Sequence, residues 1–252
     1  METPGYVALS RQASLRRELD VIANNIANMD SPAYRGESML FVEYLAETKD
    51  RAPAGLRKIS YVQDIATVPD LAEGAKVATD NPLDLAINGK GYFVVETEDG
   101  ERYTRNGNFM LNAEGEIVTT GGLPLMNEAG QPMIVPSTAG RIDIARDGTV
   151  SYHDQNGGDV VQVGRIRMVE FENEYALEKD AETLFRPAGQ QPQPAQNAEI
   201  VQGFIEKSNV NGVVEMTKMI HTVNSYQSAG RMVESEHERQ RRAIQTLAGR
   251  SA

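Results

Sequence analysis

Residues 202–250 read QGFIEKSNVNGVVEMTKMIHTVNSYQSAGRMVESEHERQRRAIQTLAGR. The stretch holds no proline, and beyond Gly212 only Gly230 interrupts a helix-compatible run. Met216, Ile220 and Val223 are spaced four and then three residues apart. Met219, Val223, Tyr226, Gly230, Val233, His237, Gln240, Ile244 and Leu247 continue on an adjoining line. This spacing is a coiled-coil-like seam, weak at Gly230, His237 and Gln240. Asn211 is placed to cap the N-terminus, and Glu215 suits the positive end of the helix dipole. Arg239, Arg241, Arg242 and Arg250 suit the negative end. About 37 residues at 1.5 Å apiece give a rod of roughly 55 Å. A helix that long overshoots any core this chain builds, so most of it needs a partner.

The other end of the chain has the same character. Thr3-Pro4 is a helix start, a hydroxyl cap followed by proline at the first helical position. Ala8, Gln12, Leu15, Leu19, Ile22, Ile26 and Met29 form a second seam, which ends before Pro32 because proline disfavours helix at Ser31. The two ends either form a helical hairpin sufficient to itself, or pair and also build contacts between subunits. Asn24, Asn25 and Asn28 crowd the end of the first helix, where Asn competes with the backbone for hydrogen bonds. They either terminate the helix, with Asn28 near the cap, or bond across packed helices.

Between the ends the pattern changes. Met39, Phe41, Val42, Tyr44 and Leu45 suit a short strand or helix, Ala52-Pro53-Ala54-Gly55 a turn, and Ile59, Tyr61, Ile65 and Val68 short extended pieces. From Leu83 the period becomes two: Leu83, Leu85 and Ile87 alternate with Asp84, Ala86 and Asn88. Tyr92 to Val95 follows, and Asp99-Gly100 is a hairpin signal. Asn106-Gly107, Glu114-Gly115, Gly121-Gly122, Gly130, Asp147-Gly148 and Asn156-Gly157-Gly158 punctuate further short strands, antiparallel by their short connections. The low-complexity QQPQPAQ at 190–196 reads as an extended linker back to the terminal helix. The expected fold is α+β: N- and C-terminal α-helices packed together, coiled-coil-like, with a central, mainly antiparallel β domain. Residues 1–30 with 203–252 form the helical part, 31–80 a connector, and 81–202 the β-rich outer domain with its return linker.

Composition narrows the function. A formal charge of -11 opposes binding to nucleic acid and to anionic membranes. The absence of cysteine removes disulfides, zinc-thiolate sites and a thiol nucleophile. Arg11, Arg16, Arg17, Glu18 and Asp20 break any apolar leader core near the N-terminus, and no run is long enough to insert in a membrane. Phosphate-loop, HExxH and GxSxG spacings do not occur. Asn88-Gly89-Lys90-Gly91 reads as a tight hairpin. His153, His221 and His237 are scattered and read as core or interface residues. Asp80, Asp84, Glu96, Asp99 and Asp147 fall mostly at turns, where Asp has a local hydrogen-bonding role. No enzyme and no cofactor are expected.

Four motifs carry a resemblance: ANNIAN at 23–28, NPLDLAINGKGYFVV at 81–95, YTRNGNFMLNAEG at 103–115 and SNVNGVVEMTKMI at 208–220. In this order they resemble the flagellar rod and hook axial family. Length and AYRGE at 33–37 look most like the proximal rod branch, with the distal rod branch as the alternative. A secreted β-rich binding or adhesive module is the alternative of another class. Where the family has a glycine before the aromatic residue that follows ANNIAN, this chain has Ala33, in Ser31-Pro32-Ala33-Tyr34. The resemblance implies a structural subunit of the basal-body rod, the drive-shaft from motor to hook. It implies an inner tube of terminal helices beneath an outer β layer, other rod subunits and the flagellar export apparatus as partners, and export without a cleaved leader. The candidate assembly interface is Leu15, Leu19, Ile22, Asn24, Asn25, Ile26 and Asn28 on the first helix, with Val213, Met216, Met219, Ile220, Val223, Tyr226 and Val233 on the second. Each seam offers roughly six to nine apolar side chains at about 1.5–3 kcal/mol each. Ordering a helical residue costs about 1–2 kcal/mol, so a lone pair of seams is marginal and lateral neighbours tip the balance.

Overall fold

The structure is a computed structural model that describes residues 3–47, 58–136, 138–154, 159–181 and 183–248. Ala52-Pro53-Ala54-Gly55, Asn156-Gly157-Gly158 and Arg250 lie outside the described residues. The chain divides into two compact units. One comprises Met1–Ala27, Gly36–Asp70 and Val210–Ala252, the other Asn28–Arg35 and Leu71–Asn209.

The first unit holds both long helices, α1 (Thr3–Ala27) and α2 (Gly212–Ala248), packed against each other. The Asn211 side-chain oxygen accepts the backbone N–H groups of Val213 and Val214, 3.1 and 3.3 Å away, and so caps α2 as its position foretells. The unit also holds β1 (Glu37–Glu47) and β2 (Lys58–Pro69), paired antiparallel along their length with a bulge at Leu40/Phe41. The short extended pieces expected here are therefore one long ribbon that packs on α1. Only residues 48–57 separate the two runs, and the local period of neither states the pairing. A two-stranded ribbon is marginal in water, and α1 provides the support.

The second unit is all β. Its strands are β3 (Lys76–Ala78), β4 (Leu85–Asn88), β5 (Tyr92–Thr97), β6 (Gly100–Thr104), β7 (Phe109–Leu111), β8 (Ile117–Thr119), β9 (Ala139–Ile144), β10 (Thr149–Asp154), β11 (Val160–Arg165), β12 (Met168–Glu170), β13 (Glu178–Ala181), β14 (Leu184–Arg186), β15 (Gln193–Pro194), β16 (Glu199–Gln202) and β17 (Phe204–Glu206). The main sheet runs β13-β14-β6-β5-β12-β15; β11-β10-β9, β16-β4, β17-β3 and β7-β8 form smaller sheets, and every pairing between these strands is antiparallel. The β5–β6 hairpin turns at Asp99-Gly100, with Gly100 at φ +102°. The Pro/Gln-rich segment is extended and supplies edge strand β15, with Pro194 opposite Val169. An edge is the position where the missing N–H of proline does no harm.

Across the alternating run from Leu83, Leu85, Ala86 and Ile87 are all buried, and so are Tyr92 to Val95. Successive side chains still point to opposite faces, but β5 is covered on both. Phe93 joins Leu85, Ile87, Phe109, Ile117 and Leu125 in one cluster, while Tyr92 and Val94 join Tyr103, Met126, Val169 and Phe171 in another. Phe93 meets Phe109 edge to face at 5.2 Å, and Tyr103 meets Phe171 likewise at 4.9 Å.

Candidate assembly interface

In the helical unit the most buried positions of α2 are Glu215, Thr222 and Ala229, one every seven residues. Met219, Tyr226 and Val233 flank them half-buried. On α1 the buried positions are Ala8, Ser14, Ile22 and Asn25. Asn25 reaches Glu215 at one end of the pair, and Gly230 lies beside Gln12 further along, so the helices run antiparallel. Of the six to nine apolar side chains expected in each seam, fewer are fully buried: among the described residues these are Ala8 and Ile22 on α1 and Ala229 on α2. Polar and small residues take the rest of the inner line. None of the three fully buried α2 positions belongs to the apolar lines that the spacing picks out; Met219, Tyr226 and Val233 of one such line sit beside them, and packing decides which side faces inward.

Asn25 settles its own question. Its side-chain amide donates to Glu37 O at 2.8 Å and to Glu215 Oε2 at 3.3 Å, while its Oδ1 accepts the Glu37 N–H at 2.9 Å. It bonds across packed elements, tying α1 to β1 and α2. Lys218 Nζ holds the other oxygen of Glu215 at 2.6 Å. Asn28 takes the other role: its carbonyl accepts the Ser31 N–H at 3.1 Å just past the helix end, and its Oδ1 lies 3.2 Å from Ser31 Oγ.

The second apolar line of α2 faces outward. Val213, Met216 and Ile220 are 71, 49 and 63% exposed, and Val214, Met232 and Ile244 are exposed too. Of the other expected interface residues, Leu15, Leu19, Ile26 and Val223 are half-buried and Asn24 is exposed. Two grooves of about 370 and 390 Å³ lie along the helices. Ala8, Arg11, Ser225 and Met232 are among the lining residues of one, Glu18, Val213 and Lys218 of the other, and His221 borders both. Burial pushes the Glu18 carboxyl above its ordinary range, against the opposing pull of Lys218. His221 and His237 are exposed rather than in a core, and His153 pairs with Asp143 at 3.0 Å.

In the β unit, charged residues that the motif reading passed over are fully buried. Arg105 of the YTRNG motif is 1% exposed. Its Nε donates to Glu206 Oε2 at 2.9 Å, its Nη1 to the carbonyls of Gly89 and Gly91 at 3.0 Å, and its Nη2 to Ile87 O at 3.4 Å. Glu206, 2% exposed, also accepts the Gly74 N–H at 3.1 Å, and its own carbonyl accepts the Ala33 N–H at 2.8 Å. Arg35 donates through Nη1 to Glu174 at 2.8 Å and to Tyr92 Oη at 3.0 Å, and the Tyr92 hydroxyl donates to Glu174 at 2.9 Å. Burial pushes the Tyr92 hydroxyl well above the usual tyrosine range. Burial would also raise Glu174, but the bonds from Arg35 and Tyr92 outweigh it and hold the carboxyl below its ordinary value. Ala33 sits at φ +57°, the left-handed region where glycine is at ease. So the Ser31-Pro32-Ala33-Tyr34 turn keeps the path that a glycine would take.

Three family models match the chain. One described as "Flagella basal body rod protein" matches residues 6–35, "Flagellar hook protein FlgE/F/G D1 domain" matches 86–152, and "Flagellar basal body rod FlgEFG protein C-terminal" matches 201–246. The flagellar basal-body rod protein FlgF of Caulobacter vibrioides is 36% identical over 252 residues, covering 98% of each chain. The chain belongs to the flagellar basal-body rod protein family. FlgF of Rhizobium meliloti is 32% identical over 99% of each chain. FlgG of Bacillus subtilis is 31% identical over 92% of this chain and 94% of its own. The rod protein described here is FlgF-like, and the FlgG alternative is not better supported. As a family member it is a structural subunit of the flagellar basal-body rod, which assembles with other rod and hook components. Among the described residues, no helix is long and apolar enough to cross a membrane.

Proposed function

We propose that this rod protein enters the basal body by burying the outward apolar line of α2, Val213, Met216 and Ile220, with adjoining parts of α1, against copies of itself and against other rod subunits. The observation that carries this reading is the exposure of those three side chains beside an inner line already occupied by α1. The packing is heterologous and does not close on itself, so it extends along an axis. The likeness to FlgF proteins supports a place in the proximal rod. The likeness to flagellar rod proteins supports delivery by the flagellar export apparatus. The subunit acts by packing rather than by catalysis and takes no cofactor. Residues 1–30 with 203–252 provide the assembling part, and 81–202 the outer layer.

The test introduces Ile22→Asp or Val223→Asp in the inner seam and Ile220→Asp on the outer line. Basal bodies are then isolated and the subunit quantified. All three are expected to lose rod occupancy and motility, with the β unit still folded by circular dichroism. Normal occupancy and swimming in the Ile220→Asp strain would remove the interface assignment.

A further inference from the structure

Asn-Gly pairs close to a succinimide when the glycine nitrogen attacks the asparagine side-chain carbonyl. The rate depends on the proton that the nitrogen must lose, on the charge that grows on the carbonyl oxygen, and on the freedom of the backbone. Three such pairs lie among the described residues, at 88–89, 106–107 and 211–212, and their surroundings differ. At the first, the Gly89 N–H donates to Glu73 Oε1 at 3.1 Å, and Lys76 Nζ donates to Asn88 Oδ1 at 2.8 Å. Lys76 and Glu73 pair at 3.0 Å, so one ion pair touches both ends of the bond to be made. Burial would raise the Glu73 carboxyl, but Lys76 and Arg105 outweigh it and hold it below the usual range, so it is ionised at neutral pH and able to accept a proton in passing. Asn88 is exposed, which lets ammonia leave and water enter.

The other two pairs are held differently. Asn106 Oδ1 accepts the Asn108 N–H. Asn211 Oδ1 is occupied by the two N–H groups it caps. Among the described residues, neither oxygen receives a cation.

We propose that Asn88 is a self-modification site, with Glu73 and Lys76 assisting its conversion to aspartate and isoaspartate. The Gly89 N–Asn88 Cγ bond forms as the Cγ–Nδ2 bond breaks. Glu73 relays the Gly89 proton to the departing nitrogen, Lys76 Nζ supports the negative oxygen, and ammonia leaves. Water then opens the imide at either carbonyl. The isoaspartate product lengthens the β4 backbone by one methylene opposite Glu199 of β16.

The test incubates the full-length chain in mildly alkaline buffer and maps its peptides by mass spectrometry, with isoaspartyl methyltransferase labelling as a second readout. Asn88 is expected to convert ahead of Asn106 and Asn211. Glu73→Gln and Lys76→Met are each expected to slow position 88 roughly tenfold, the rate equivalent of one charge-assisted hydrogen bond, with the other two positions unchanged. A thermal melt of each variant reports its fold. Asn88 intact while Asn106 or Asn211 converts, a rate at 88 indifferent to both substitutions, or conversion only in the urea-unfolded chain would each overturn the proposal. The result is independent of rod occupancy.

Discussion

The two units bury their interiors in opposite ways. The β unit closes over Leu85, Ile87, Phe93, Phe109, Ile117, Leu125 and Ile200 on one side of β5 and over Tyr92, Tyr103 and Phe171 on the other. Arg105 and Glu206 are sealed within it and hydrogen-bonded. The helical unit seals Ala8, Ile22 and Ala229 among polar Ser14, Asn25, Glu215 and Thr222, and leaves Val213, Met216, Ile220, Met232 and Ile244 in solvent. The β unit exposes apolar side chains too, Met110, Ile134 and Val160 among them, but around a filled apolar interior. On the assembly proposed above, the helical unit, whose inner line is mostly polar and small, draws on neighbours for stability.

Amide hydrogen exchange on the dilute monomer tests this contrast with the largest expected effect. Strands β4 and β5 are expected to open only at the global free energy, about 5–15 kcal/mol for a typical domain, while the helices open at a small fraction of that. Equal protection from α1 through α2 would break the comparison. Arg105→Met comes next: it leaves the Glu206 carboxylate buried without its cation, at a cost of about 3–5 kcal/mol. Urea denaturation of the β unit measures that cost, and a loss under about 1 kcal/mol would mean that Glu206 finds other partners. Asn25→Ala is expected to remove about 1–3 kcal/mol by stripping three hydrogen bonds that join α1 to β1 and α2. That loss appears as lower helix content, with the β transition unmoved. The smallest effect belongs to Ala33→Gly. Relief of the left-handed backbone, about 1–2 kcal/mol, is partly offset by the chain entropy of glycine, about 0.5–1 kcal/mol. A net stabilisation under about 1 kcal/mol is expected in the same urea titration, and a destabilisation would mean that the buried Ala33 methyl outweighs the strain.

Much of the architecture was legible because it is written in short-range period. The four-and-three spacing from Met216 onward marks a long helix, Asn211 its cap, and Asp99-Gly100 the β5–β6 turn, each stated by neighbouring residues and each present in the structure. The long β1–β2 ribbon was not legible, since the local period of neither strand states a register that joins Glu37 to Pro69 and Ser38 to Val68. Nor were the buried partners of Arg105, because Glu206 is remote in sequence and an arginine in a turn-rich motif reads as solvated. Asn25 and Asn28, alike in sequence, part company because one meets Glu37 and Glu215 and the other lies past the helix end.

The amino-acid order by itself determined that both ends are helical, that the middle is antiparallel β, and that four motifs in series place the chain among flagellar rod proteins. These follow from local periodicity, turn chemistry and motif order. Only the tertiary structure decided which of two adjoining apolar lines on α2 is covered. A helix wide enough to carry both offers them equally to any partner, and the choice falls to the side where Asn25 and Glu215 satisfy one another.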